Sequence, residues 1–181
     1  MEHYVLYNEE TGDLISVGQG PENTTILQTS QLPQGVGIMR IPSQAALALG
    51  GIDIPIIKAS YAASIDQDAD KVRSMFITNT PGQMATYLEK EVEARRVLAH
   101  DDGPTIFLDA EAEALGMSVA SLAMEIVAQA DQWRPIGARI EAARRKAKVD
   151  VAAAPHLAAL ADAAKIDWQA VVAPDAAEVA A

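Results

Sequence analysis

His100, Asp101, Asp102 and Gly103 are the residues of this chain with most to offer a reaction. A histidine beside two carboxylates can hold a divalent cation, and acids followed by a glycine turn can hold calcium. Such a site needs further ligands at defined spacing. None stands nearby, so the cluster reads as a polar loop between helices. His3 and His156 lie far from it in sequence, and no histidine pairs with a Glu at catalytic spacing. No nucleophile elbow, zinc-helix motif or phosphate-binding loop occurs. Gly35-Val36-Gly37 begins like a dinucleotide loop, but the next glycine is missing and Pro42 interrupts the helix that should follow. Glu89, Glu91 and Glu93 stand two apart, and such side chains diverge on a helix. They read as a solvated face. The basic run from Arg139 to Lys148 reads as surface pairing with earlier acids, or as a site for an acidic partner. No catalytic residue, cofactor or metal ligand is assigned.

The remaining candidates act by packing. Tyr4 and Tyr7 lie on a first apolar run. Val119, Leu122, Ile126, Trp133 and Ile140 follow a three/four rhythm and form one seam, within a chain or between chains. Trp133 and Trp168 are core pegs or interface anchors. If Trp133 is buried, its replacement by Ala costs about 3 kcal/mol.

Two kinds of element must carry these residues. Residues 1–58 hold seven of the eleven Gly, four of the nine Pro and only three of the 35 Ala. Gly and Pro punctuate strands and turns, whereas Ala favours helix. The expected fold class is therefore α+β: a small β-rich head over 1–58, a helical Ala-rich body over 59–174 and a frayed tail over 175–181. In the head, Tyr4–Tyr7 and Leu14–Val17 flank a five-residue turn ending at Gly12, a hairpin pattern. A loop over 18–25, a strand over 36–41, a short helical turn from Ser43 to Leu49 and an extended piece over 54–58 complete it. The body reads as helices over 60–78, with Ile65, Ala69, Val72, Met75 and Phe76 on one face, and over 83–99, with Met84, Tyr87, Leu88, Glu91 and Arg95 in line. Asn79-Thr80-Pro81-Gly82 separates them. A short helix capped by Asp109 ends before Gly116. Ser118 caps the longest segment, which Pro135 kinks or splits. Pro155 opens another short helix reaching about Ala164, and Lys165–Trp168 is a turn or last helical piece.

Composition narrows the function classes. The net charge is −11, so phosphate backbones and anionic membrane surfaces are repelled; neither nucleic acid nor membrane is an expected partner. No cysteine is present, which excludes disulfides and thiolate chemistry. No stretch approaches the roughly 20 apolar residues of a membrane helix, and residues 1–10 do not read as a signal peptide. A soluble chain made in the cytoplasm is expected. Only 4% of residues are aromatic, so thin Ala-rich helices need neighbours to complete their burial.

One pattern resembles a known group. Arg73-x-x-Phe76-Ile77-Thr78 leads into Pro81-Gly82-Gln83, then Tyr87, Lys90 and Glu93-Ala94. Glu111-Ala112 and Gly116 follow, then Trp133-x-x-x-Gly137-Ala138-x-Ile140-Glu141-x-x-Arg144. Over residues 60–168 this is similar to small proteins encoded among phage and prophage tail genes. The hairpin Tyr4–Gly18 with its Glu-Thr-Gly turn resembles short modules of tail-fibre and tail-tip proteins. The resemblance implies a structural protein of the phage tail (tail tip, fibre attachment or fibre), located in the virion; that it is not an enzyme is expected from the missing catalytic motifs. Its expected partners are other virion tail proteins and copies of itself in a homo-oligomer, with a trimer the candidate stoichiometry. The alternative it leaves open is a tail or fibre assembly chaperone absent from the mature particle.

Overall fold

Alternating burial along the first strand, with Val5 and Tyr7 buried and Tyr4 and Leu6 only partly so, sets the architecture of the head. A computed structural model describes residues 1–47, 50–77 and 81–173. The predicted frayed tail 175–181 lies outside these residues, as do Leu49, Thr78, Asn79 and Thr80 of the expected turns and helix ends. The fold is α+β, a small antiparallel sheet followed by a mostly helical chain. Strands β1 (Glu2–Asn8), β2 (Leu14–Gly20) and β3 (Val36–Ile41) form a three-stranded sheet of order β2-β1-β3. Val5 faces Val17 on one side and Met39 on the other. Gly12, at φ +74°, closes the hairpin loop as expected. Asn8 Oδ1 accepts the N–H groups of Glu10 and Thr11 and so holds that loop.

Two stretches differ from the sequence reading. The predicted loop after Gly18 contains a further strand end and helix α1 (Thr24–Thr29). Its first turn is held by a residue 21–23 positions away. The Glu2 carboxylate accepts Asn23 N–H at 2.8 Å, Thr25 N–H at 3.0 Å and the Thr25 hydroxyl at 2.5 Å. The predicted extended piece 54–58 is instead the first turn of helix α2 (Ile54–Arg73). Asp53 starts it, its Oδ1 accepting Ile56 N–H at 3.1 Å, and Pro55 is tolerated in a first turn. Ser43 opens only a short 3-10 turn, Ser43–Ala45.

The other helices are α3 (Pro81–Leu98), α4 (Ile106–Leu115), α5 (Val119–Ala153), α6 (Leu157–Ala163) and α7 (Trp168–Val172). Pro135 lies inside α5, which continues through it as one helix. Ser118 Oγ accepts Ser121 N–H at 3.1 Å at the start of α5. At the end of α5, Lys58 Nζ donates to the carbonyls of Ala152 and Ala154, both at 2.8 Å, where a cation also suits the helix dipole.

The chain forms two compact units. The first joins Met1–Ala69 to Ala142–Trp168; the second is Asp70–Glu141 with the described residues from Gln169 on. The composition boundary near residue 58 therefore falls inside α2, and the head packs with residues far along the chain. In the first unit, Val5, Tyr7, Met39 and Ile41 cover one sheet face with Ile57 of α2 and Leu157 and Leu160 of α6. A smaller cluster joins Ile65, Ala147 and Val151. In the second unit, Ala94, Leu108, Ala112, Leu122 and Ala123 form a core built largely of alanine.

Candidate interaction surface

Within the second unit, polar contacts align the helices and leave apolar side chains outside. Glu93 is only 5% exposed. Its carboxylate accepts the N–H groups of Phe107 and Leu108, each at 3.0 Å, and caps α4 from α3. The expectation that Glu93 belongs to a solvated face is thus overturned, and Asp109 is not the cap of α4. Asp109 accepts the Thr105 hydroxyl at 2.9 Å instead. Glu91 also faces a neighbour: it pairs with Arg95 and Arg134, and Asp131 accepts from both arginines. Lys90 pairs with Glu111 of α4.

This arrangement turns Tyr87, Leu88 and Val92 outward, Tyr87 and Leu88 being two of the residues aligned at helical spacing on α3. Leu88 is 58% exposed. Leu88 and Val92 stand four apart and share a helix face. On α4, Ile106 and Phe107 are exposed beside the Glu93 cap, Ile106 at 71%. Met75 and Phe76, expected on the buried face of the preceding helix, are exposed too, because α2 ends at Arg73. Among its described residues the second unit exposes ten large apolar side chains and buries only four, Val72, Leu108, Leu122 and Ile140. The first unit buries nine and exposes six. The contrast between units decides the matter, since scattered exposed apolar residues are ordinary.

The residues singled out in the sequence lie elsewhere. Leu122 and Ile140 are buried, and Val119 and Ile126 pack partly buried on the cluster around Leu108. Their seam is covered within the chain. Trp133 is half-buried, its ring 6.1 Å from that of Phe76 and against Gly137. Tyr7 is buried in the sheet core, whereas Tyr4 is half-buried beside Gly18. Trp168 is half-buried at a cleft it shares with Tyr61 and Lys165. The outward set was signalled weakly, by the Leu88/Val92 spacing and by Ile106-Phe107 directly after the Pro104 loop.

Ion pairs form elsewhere too. In the first unit, Asp66 accepts from Arg144 and Lys148, each at 2.5 Å. Those bonds, that of Lys148 foremost, hold its carboxyl below the usual range. The basic run thus serves, at these two positions, the surface pairing read from the sequence. His100 adopts a left-handed backbone at φ +55°, and Asp101 N–H returns to the Arg96 carbonyl. Among the described residues, no group of three His, Asp or Glu side chains is placed to hold a metal. No described helix is long and apolar enough to cross a membrane. No family model, curated protein or solved structure matches the chain.

Proposed function

We propose that this chain is a structural protein of a phage tail that works by burying apolar helix faces against other proteins. One observation carries the mode of action: the second unit leaves more large apolar side chains outside than inside. Side chains such as Leu88, Val92, Ile106 and Phe107 are costly to leave in water, at about 25 cal/mol per Å² of apolar surface. Association removes that cost, and exposed apolar groups of this kind mark sites of protein contact. The setting comes from the sequence resemblance to tail-gene proteins over residues 60–168. In this reading the chain performs no reaction, and its partners are tail proteins and further copies of itself.

Two measurements test it. Light scattering of the isolated chain should give a mass above that of the 19.2 kDa monomer. The double variant Leu88→Glu/Ile106→Glu should be monomeric with an unchanged helical signal. A monomeric parent chain that also fails to bind any tail protein would remove the proposal. Mass spectrometry of purified phage particles should find the chain in stoichiometric amounts. Its presence only in infected cells, bound to an unassembled tail protein, would instead mark an assembly chaperone.

A further inference from the structure

In the first unit, the end of the sheet and one face of α2 enclose an open cleft of about 530 Å³. It is lined by His3 of β1, Arg40 of β3, Ser43 of the 3-10 turn and Ser60 and Ser64 of α2. Ser60 and Ser64 stand four apart and so share one helix face. Their groups are hydrogen-bond donors of complementary reach: a guanidinium with a fixed fork of N–H groups, an imidazole and three hydroxyls. None of these five side chains takes part in a hydrogen bond or ion pair with the described residues. The single carboxylate at the cleft, Glu2, accepts from Asn23 N–H, Thr25 N–H and the Thr25 hydroxyl. The Thr25 hydroxyl is foremost in lowering its pKa; Glu2 feels the Arg40 charge through space, the least of those causes, and makes no hydrogen bond to it. The Tyr61 hydroxyl is likewise occupied, donating to the Arg40 carbonyl at 2.9 Å, a bond that also fixes β3 against α2.

A wall with a donor-only guanidinium, and with hydroxyls and an imidazole that can each turn a hydrogen outward, can serve a ligand rich in acceptor oxygens. Arg40 is its fixed cation, and a guanidinium meets phosphate oxygens in bidentate fashion. The cleft lies within the ordinary size range of small-molecule sites and is larger than a bare phosphate ion needs. We propose that this cleft binds a phosphate monoester carried on a small molecule, with Arg40 on the phosphate and Ser43, Ser60 and Ser64 donating to its oxygens. The site is independent of the apolar surface of the second unit.

The test is a titration of the ¹⁵N-labelled full chain at low salt with ribose 5-phosphate, with inorganic phosphate and ribose as separate arms. Saturable amide shifts confined to residues 1–3, 40–43 and 60–64 are expected with ribose 5-phosphate, and weaker ones with inorganic phosphate. Arg40→Gln should raise the midpoint about tenfold or more, the loss expected for a charge-assisted contact. Ser64→Ala should raise it by a smaller factor. Arg40 is exposed and contributes to β3 through its backbone, so the amide spectrum of the variant should otherwise match the parent. Shifts that fail to saturate, that match those from ribose, or that persist unchanged in Arg40→Gln would overturn the assignment. Equal affinity for inorganic phosphate would overturn the monoester part of it.

Discussion

Two glutamates act here as remote helix caps, and both lend themselves to direct measurement. Glu93 closes two backbone donors at the start of α4. Glu93→Ala should lower unfolding stability by about 1–2 kcal/mol in urea titration, the loss of a cap with buried partners. Glu2 is buried, and its pKa is lowered, foremost by the hydroxyl of Thr25. As pH falls, the unfolded chain therefore takes up this proton first. The stabilisation is whole above the ordinary carboxylate range and is lost as pH drops through that range to the lower folded value. The urea midpoint of the parent should fall between about pH 6 and about pH 3 more steeply than that of Glu2→Gln. Tyr61 titrates in the opposite sense: burial pushes its phenol up to about 12. Its late component in a phenolate absorbance titration should vanish in Tyr61→Phe. Its share of stability should be lost as pH rises from about 10, where the unfolded phenol ionises, to the folded value.

At the scale of elements, the sheet depends on aromatic rings laid over glycines of the neighbouring strand. A Cβ on Gly37 would sit 2.3 Å from Tyr7 Cζ, and one on Gly18 would sit 2.4 Å from Tyr4 Cζ. Tyr7 is buried and has no free direction to swing, whereas Tyr4 is half-buried. Gly37→Ala should therefore cost about 1–3 kcal/mol, the usual loss on overpacking, and Gly18→Ala distinctly less, both read by thermal unfolding. Trp133→Ala should cost less than the about 3 kcal/mol expected for a buried side chain, because part of its ring already meets solvent. The hairpin, β3, α3 and the Ser118 start of α5 were legible in the sequence, since each rests on alternation, spacing or a cap within a few residues. Helix α1 and the first turn of α2 were not. The six residues of α1 are too short to show a period, and their cap comes from Glu2 across the sheet. Ile54, Ile56 and Ile57 look like a strand until Asp53 is recognised as the cap that starts a helix.

For the whole molecule, charge and composition were readable at once: a cysteine-free acidic chain, β-punctuated at the start and alanine-rich afterwards. Those features fix which local structures are cheap, because propensity, capping and periodicity act between residues a few positions apart. They do not fix which faces are covered. His156 stands against Gly12, whose carbonyl accepts Leu157 N–H at 3.3 Å, so residues far along the chain belong with the head. The stripe read on α3 already ran through Glu91 and Arg95; Glu91 pairs with Arg134 and Glu93 caps α4, while Tyr87, Leu88 and Val92 stay outside. The sequence by itself determined the kinds of element and most of their bounds. Only the tertiary structure decided what each face meets, because burial is settled by partners distant in the chain, and a carboxylate with two helix N–H donors waiting can displace leucine from the interior.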